Sequence, residues 1–479
     1  MADKKEITIK TPKIPRYGKH DSNKCQLKFK DYFLDNMQNL PLLKQKITTL
    51  AINSQLHQEL IRPHSWKLFL KTLSFNENIT LKTWLNETFQ KREAFKKKLS
   101  EAKDNYALEQ QNQNNNDNKF SNFEEKTSIR HLIEIDVERT FGDIELFKDE
   151  YIRRMEEDIL YVFSQENMPI SYKQGMNENL AIFIHAFYPF YTTSPENNYT
   201  PEKFDLWCSD PKKYLNQIYC FFHDENELQS DLYYILKNLM NMGLNKFYED
   251  SIDPESCKDD QKTYLLLRCD YILDKLRKHN TELYNHFIDI GLSGEVILQR
   301  WLKCIFSREF TPEDCIYIWD NIFGNEFNIS SKNLEYIDFF CVAMFDYVSK
   351  NLLTHDQNEC FICLFKYPPF QNIDILVQLA EKVKANILKL DKSSRSFFSF
   401  TNIKNKFNKQ INDITSIFNN KENDEDQRKA DIIAELSKIT DNKTRIIQLK
   451  NILNKYKNKF YADDRMKIDL ILSSLEKNA

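Results

Sequence analysis

Ser171-Tyr172-Lys173-Gln174-Gly175-Met176-Asn177-Glu178-Asn179-Leu180 joins a polar turn to a strongly apolar segment. Beyond Gly175 the apolar positions are Met176, Leu180, Ile182, Phe183, Ile184 and Phe187, with few polar interruptions. That run reads as a helix buried on most sides. Tyr188-Pro189 stops it, because proline cannot continue a helical ladder. A helix of this kind needs apolar partners all round, so the rest of the chain reads as helical scaffold. At its mouth a glycine, a glutamine and an asparagine fall together. An amide beside backbone that glycine has relaxed can position a water or hold a polar ligand.

Working upstream, Ile129, Leu132, Ile133 and Val137 line one helical face from Ser128 onward. Asp136 and Arg139 stand three apart on that helix and are therefore neighbours. The helix ends near Gly142. Ile152, Met155, Ile159 and Phe163 mark a second amphipathic helix capped by Asp149, and Asn167-Met168-Pro169 breaks the chain before the opening stretch. Residues 99–127 read as a flexible polar insertion around Gln110-Gln111-Asn112-Gln113-Asn114, which buries too little to offset the entropy of ordering. Earlier, Arg62-Pro63-His64-Ser65-Trp66 opens a helix with proline in its first turn. Trp66, Phe69 and Leu70 share its core face, and Arg62 reads there as a surface residue. Residues 1–47, rich in Lys, Pro and polar side chains, read as a mobile tail with one short helix near Leu27 to Met37.

Downstream, residues 191–213, with Pro195, Pro201 and Pro211, read as a loop. Helices are expected at Tyr214–Phe222, Gln229–Leu239, Thr263–Lys278, Thr281–Ile290, Gly294–Phe306, Tyr336–Leu352 and Asp356–Phe365. Thr311-Pro312-Glu313-Asp314 is a helix start, with a threonine cap, a first-turn proline and two acids against the helix dipole. It opens Cys315–Phe323. Residues 386–479 read as a linker followed by an accessory tail, with amphipathic helices at Ala430–Ile439, Lys443–Phe460 and Met466–Leu475. Neither strand alternation nor a repeat of fixed period is convincing. The fold class is all-α, two helical lobes in one large domain spanning 48–385.

Composition narrows the function. The 479 residues carry a net charge of −4, which argues against a nucleic-acid binder. There are 7 glycines and no glycine-rich phosphate loop, so a nucleotide acted on here must be held by another molecule. No signal peptide or membrane span is expected, and the 10 scattered cysteines read as free thiols of a reducing compartment. Cys360-Phe361-Ile362-Cys363 has redox or zinc spacing, but with no second pair near it reads as buried packing. No metal or cofactor of the chain's own is expected.

Three polar groups stand out: Arg139 at a helix end, Asp136 one turn before it, and Gln174 beside Gly175. An arginine with a water-positioning glutamine is what GTP hydrolysis requires. By themselves, an arginine at a helix end and a Gln-Gly turn are commonly a solvated side chain and a turn. Ile133-x-x-Asp136-x-x-Arg139 followed by Tyr172-x-Gln174-Gly175 resembles the dual-finger signature of the TBC domain, the Rab GTPase-activating module. Arg62-x-x-x-Trp66 resembles the family's opening motif, with Pro63 where glycine is usual. Arg300-Trp301, Phe306-Ser307-Arg308-Glu309-Phe310 and Ile318-Trp319-Asp320 resemble its later motifs. The likeness covers roughly 51–380.

The resemblance implies an arginine finger at Arg139 and a glutamine finger at Gln174. It implies that Asp136 orients Arg139, that Tyr172 and Gly175 shape the turn meeting the Rab switch region, and that Asn177 caps the following helix. Arg62, Trp66, Arg300 and Trp301 would be packing residues. GTP and Mg²⁺ would sit on the Rab, so the chain would activate a GTPase without being one. Ile135-Asp136-Val137-Glu138-Arg139-Thr140-Phe141, Tyr172-Lys173-Gln174-Gly175-Met176, Arg308-Glu309-Phe310 and Tyr367-Pro368-Pro369 are similar to the TBC domain family member 5 type. That subgroup implies a cytoplasmic protein recruited to endosomal membranes, with retromer coat components as partners. Its coat-docking Asn-Pro-Leu loop has no counterpart in 99–127. Two other readings stay open: a non-catalytic scaffold binding Rabs or coats, and a helical hydrolase using His131 or His185 with a cysteine.

Overall fold

A computed structural model of the chain describes residues 18–390, apart from 112–119, 169, 197, 253–261, 330–332 and 371. The described residues are helical, and their only β pairing is two isolated bridges, Thr192 with Asp224 and Ile252 with Thr263. The first half comprises α1 (Ser22–Phe29), α2 (Leu40–Ile52), α3 (Arg62–Phe69), α4 (Leu81–Gln111), α5 (Phe120–Arg139), α6 (Glu145–Lys148), α7 (Glu150–Glu166), α8 (Met176–Phe187) and α9 (Pro201–Ser209). The second comprises α10 (Leu215–Phe222), α11 (Leu228–Asn241), α12 (Tyr264–His279), α13 (Thr281–Asp289), α14 (Glu295–Cys304), α15 (Pro312–Ile329), α16 (Ile337–Tyr347), α17 (Ser349–Leu352) and α18 (Gln357–Phe365). The chain divides into two compact units, Met1–Lys384 and Ala385–Ala479. The expected helices after 430 lie outside the described residues.

As its sequence predicts, α8 is buried on nearly every side: Met176, Leu180, Ala181, Ile182, Phe183, Ile184 and Phe187 are all solvent-inaccessible. It packs against α3, α7, α11, α14 and α15. Around it, Trp66, Phe183, Trp319 and Phe323 form an aromatic cluster of edge-on contacts, a favoured geometry between ring quadrupoles. A second group, α13, α14 and α16, gathers on α12 and meets the first along α8 and α14.

Capping signals mark several boundaries correctly. Asp149 accepts from the Tyr151 and Ile152 amides at the head of α7, and Thr311 caps α15 through the Asp314 amide at 3.2 Å. Four expectations are corrected. Residues 18–47 are folded onto the domain, where Phe29, Phe33, Leu43 and Ile47 are buried. A few widely spaced anchors suffice there, and α2 lies so close to α15 that a Cβ on Gly324 would meet the Ala51 Cβ at 2.6 Å. Within 191–213, α9 is a helix capped by Thr200, with Phe204 and Trp207 packed on Phe221. Helix α4 runs on to Gln111, and α5 starts at Phe120. That polar stretch is rich in Lys, Glu, Ala and Leu, which are good helix formers without an apolar stripe, and Lys103 ties it to Asp158 of α7 at 2.7 Å. Arg62, a surface residue on the local pattern but a packing residue by the resemblance, is buried in a forked pair with Asp320, its Nε and Nη2 at 2.8–3.0 Å, as the packing reading implies.

The cysteines among the described residues form no disulfide. Cys360 is buried and donates to the Leu352 carbonyl at 3.3 Å, while Cys363 is half-buried. No helix among the described residues is long and apolar enough to cross a membrane.

Candidate functional site

The last turn of α5 and the turn before α8 meet in one buried hydrogen-bond network. Asp136 faces inward from α5 and is fully buried, while Arg139, a turn later, is largely exposed. One Asp136 carboxylate oxygen pairs with the Arg139 guanidinium. The other accepts from the Tyr172 hydroxyl at 2.7 Å. Burial and the adjacent Asp136 carboxylate push the Tyr172 phenol far up, so it stays protonated and remains a donor. The carboxylate therefore fixes Arg139 on one side and the turn of Gln174 on the other.

Asn177 completes the junction. Its carbonyl oxygen accepts from the Gly175 amide at 3.0 Å and from Tyr172 at 3.1 Å. Its amide nitrogen donates to the Thr140 hydroxyl at 2.8 Å and to the Asp136 carbonyl at 3.4 Å. Asn177 was expected to cap α8. The capping position belongs to Gly175, and Asn177, already inside the helix, ties α8 back to α5. The opposite polarity of the carbonyl and amino ends of one carboxamide makes this possible.

Gly175 is required by its geometry. Its φ is +104°, in the left-handed region, and an added Cβ would stand 3.1 Å from the Cys304 Sγ and 3.4 Å from the Tyr248 hydroxyl. Ser171, at the other end of the turn, is also left-handed with φ +54°. Between them Gln174 is exposed, with no hydrogen bond to another described residue. Gln174 is thus free at its tip and anchored through its backbone, whereas Arg139 is exposed along its length with its guanidinium held by Asp136.

The remaining predicted residues lie elsewhere. Trp66 donates to the same Asp320 as Arg62, at 2.7 Å, which pins α3 to α15. Arg300 pairs with the buried Glu309 at 2.8 Å, and Trp301 is buried against Phe345. His131 is exposed on α5, and His185 pairs with Glu313. Among the described residues neither has a cysteine partner, so no nucleophile and base are brought together around them there. Thr140, Glu178, Tyr248 and Cys304 also touch the site and carry no local signal in sequence, because their partners are distant in the chain.

A family model, the Rab-GTPase-TBC domain, matches residues 59–353. The chain belongs to this family. It is 26% identical over 385 residues to TBC1 domain family member 5 of Mus musculus, covering 74% of this chain and 43% of the relative. It is 24% identical to TBC1 domain family member 5 homolog B of Dictyostelium discoideum, covering 72% and 42%. GTPase-activating protein GYP1 of Saccharomyces cerevisiae is 23% identical over 40% of this chain and 26% of that one. The crystal structure of the Ypt/Rab-GAP domain of Gyp1p superposes with a TM-score of 0.54 at 20% identity, over 77% of this chain and all of that domain, which shows a shared fold. The chain spans less than half the length of the member 5 relatives.

Proposed function

We propose that the chain is a GTPase-activating protein for a Rab-family small GTPase, completing the Rab's active site in trans. The Rab holds GTP and Mg²⁺. Arg139 enters as an arginine finger and neutralises charge developing on the phosphates, and Gln174 orients the attacking water in place of the Rab's own glutamine. An arginine supplied this way is worth about 10³ to 10⁵ in rate, roughly 4 to 7 kcal/mol of barrier. One observation carries the reading: two exposed side chains of the right chemistry share a single buried support, Asp136–Tyr172–Asn177. Preorganisation of that kind lowers the cost of aligning both groups on one phosphate. With 7 glycines and no phosphate loop, the chain is suited to leave the nucleotide to its partner.

A module used only for binding needs no such arrangement, which disfavours the scaffold reading. The resemblance to the member 5 type extends the proposal to cytoplasmic action at endosomal membranes with peripheral recruitment, and coat contacts of the retromer type would need a surface other than the Asn-Pro-Leu loop that 99–127 lacks. Single-turnover GTP hydrolysis measured across a panel of GTP-loaded Rabs tests the activity. At least one Rab is expected to be accelerated a hundredfold or more, whereas a panel without any response leaves the scaffold reading in its place.

A further inference from the structure

The glutamine turn has a second support, from the chain between α14 and α15. Cys304 lies against Gly175. The Lys303 carbonyl accepts from Tyr248 at 2.7 Å and from Asn179 at 2.8 Å. Two consecutive non-glycine residues follow in the left-handed region, Ile305 at φ +43° and Phe306 at +66°. Such backbone costs on the order of 1–3 kcal/mol per residue and persists only where its surroundings over-determine it. Trp319 donates to the Ile305 carbonyl at 2.9 Å, and the Phe306 amide to the Trp301 carbonyl at 3.1 Å.

This strained turn delivers Ser307 and Arg308 to one carboxylate, Glu178, in the first turn of α8. Arg308 Nε and Nη2 both lie 2.7 Å from Glu178 Oε1, and the Ser307 hydroxyl donates to Oε2 at 3.1 Å. Arg300 braces the turn from behind, pairing with Glu309 and donating to the Arg308 carbonyl at 3.1 Å. An acid in the first turn of a helix is accounted for by the dipole alone. A guanidinium and a hydroxyl gripping both of its oxygens are not.

We infer that Arg308 is a positioning residue for Gln174, fixing the first turn of α8 through Glu178 so that the glutamine stays in register with Arg139. Glu178 stands four residues after Gln174, with Gly175 and its Asn177-bound amide between them. A tilt of this turn moves Gln174 relative to Arg139, whose backbone belongs to α5. The inference rests on the proposed GTPase-activating role for its kinetic consequence, but not for its structural one.

Arg308→Gln, Arg308→Lys and the swapped pair Glu178→Arg/Arg308→Glu are compared with the parent and with Arg277→Gln, a control in a surface pair. Two readouts are taken: saturation kinetics with a responsive Rab, and hydrogen exchange at the amides of Gly175, Met176 and Asn179. Arg308→Gln is expected to lower kcat about tenfold to a hundredfold with KM nearly unchanged, and to speed exchange at those amides. Arg308→Lys and the swapped pair are expected to recover much of both. Unchanged exchange in Arg308→Gln overturns the inference. So does an unchanged kcat, or a loss confined to KM, which would make Arg308 a Rab contact. If the parent accelerates no Rab, the proposed function fails and the exchange result alone decides the positioning role.

Discussion

At the scale of the residue, the site is held by a left-handed glycine and a shared hydroxyl. Gly175 is left-handed, and its missing Cβ leaves room for Cys304. Gly175→Ala therefore costs about 1–3 kcal/mol and displaces Gln174, so the melting temperature and the activation of a responsive Rab are expected to fall together. Tyr172→Phe removes the hydroxyl shared by Asp136 and Asn177. It leaves a buried carboxylate short of one donor, at about 1–3 kcal/mol, and a chemical-denaturation midpoint reads that loss. Asp136, Arg139, Tyr172, Gln174 and Gly175 were legible as two short motifs, because each motif lies on one turn of chain. The role of Asn177 was misread because its partners, Thr140 and the Asp136 carbonyl, sit on another helix. Glu178 and Arg308, 130 residues apart, gave no local sign of each other.

At the scale of the element, the boundaries that could be read were those with chemistry at the ends. Asp149, Thr311 and Tyr188-Pro189 announced themselves through caps and a breaker. The stretches that were missed, 18–47, α9 and the ends of α4 and α5, are polar segments held by sparse anchors or by intrinsic helix propensity. Periodicity is silent about both. The Arg62–Asp320–Trp66 clamp shows how one element is fixed to another. Burial pushes the Asp320 carboxyl up while the Arg62 guanidinium and the Trp66 indole pull it down, and the forked geometry is that of an ion pair. Asp320→Ala strands a buried guanidinium, so a loss of roughly 3–5 kcal/mol is expected in equilibrium unfolding.

At the scale of the molecule, buried charge and buried histidine set the response to pH. Asp231 gathers Lys67, Arg92 and Tyr191 around one carboxylate, and His223 and His64 lie beside that cluster. His64 is fully buried among Phe29, Phe33, Trp84 and Phe222, with neither ring nitrogen bonded to another described residue. Burial, then the charges of His223 and Lys67, hold its pKa well below 6.5. The folded chain therefore refuses a proton that the unfolded chain accepts. Stability from this group is complete above pH 6.5 and declines as the pH falls below it. His64→Leu removes that term, so its melting temperature should fall less than the parent's between pH 7.5 and pH 5; equal falls would contradict the assignment.

The proposed activation stands or falls on Arg139 entering the active site of a Rab. Single-turnover GTP hydrolysis by a responsive Rab, at saturating concentrations of parent chain and of Arg139→Ala, tests it most directly. Arg139 is exposed, and its removal takes the guanidinium from the buried Asp136 carboxylate but leaves the Tyr172 bond to it in place, so the variant, checked for folding by its melting curve, is expected to lose about a hundredfold or more of the acceleration. A folded Arg139→Ala protein that accelerates hydrolysis as well as the parent would contradict the claim.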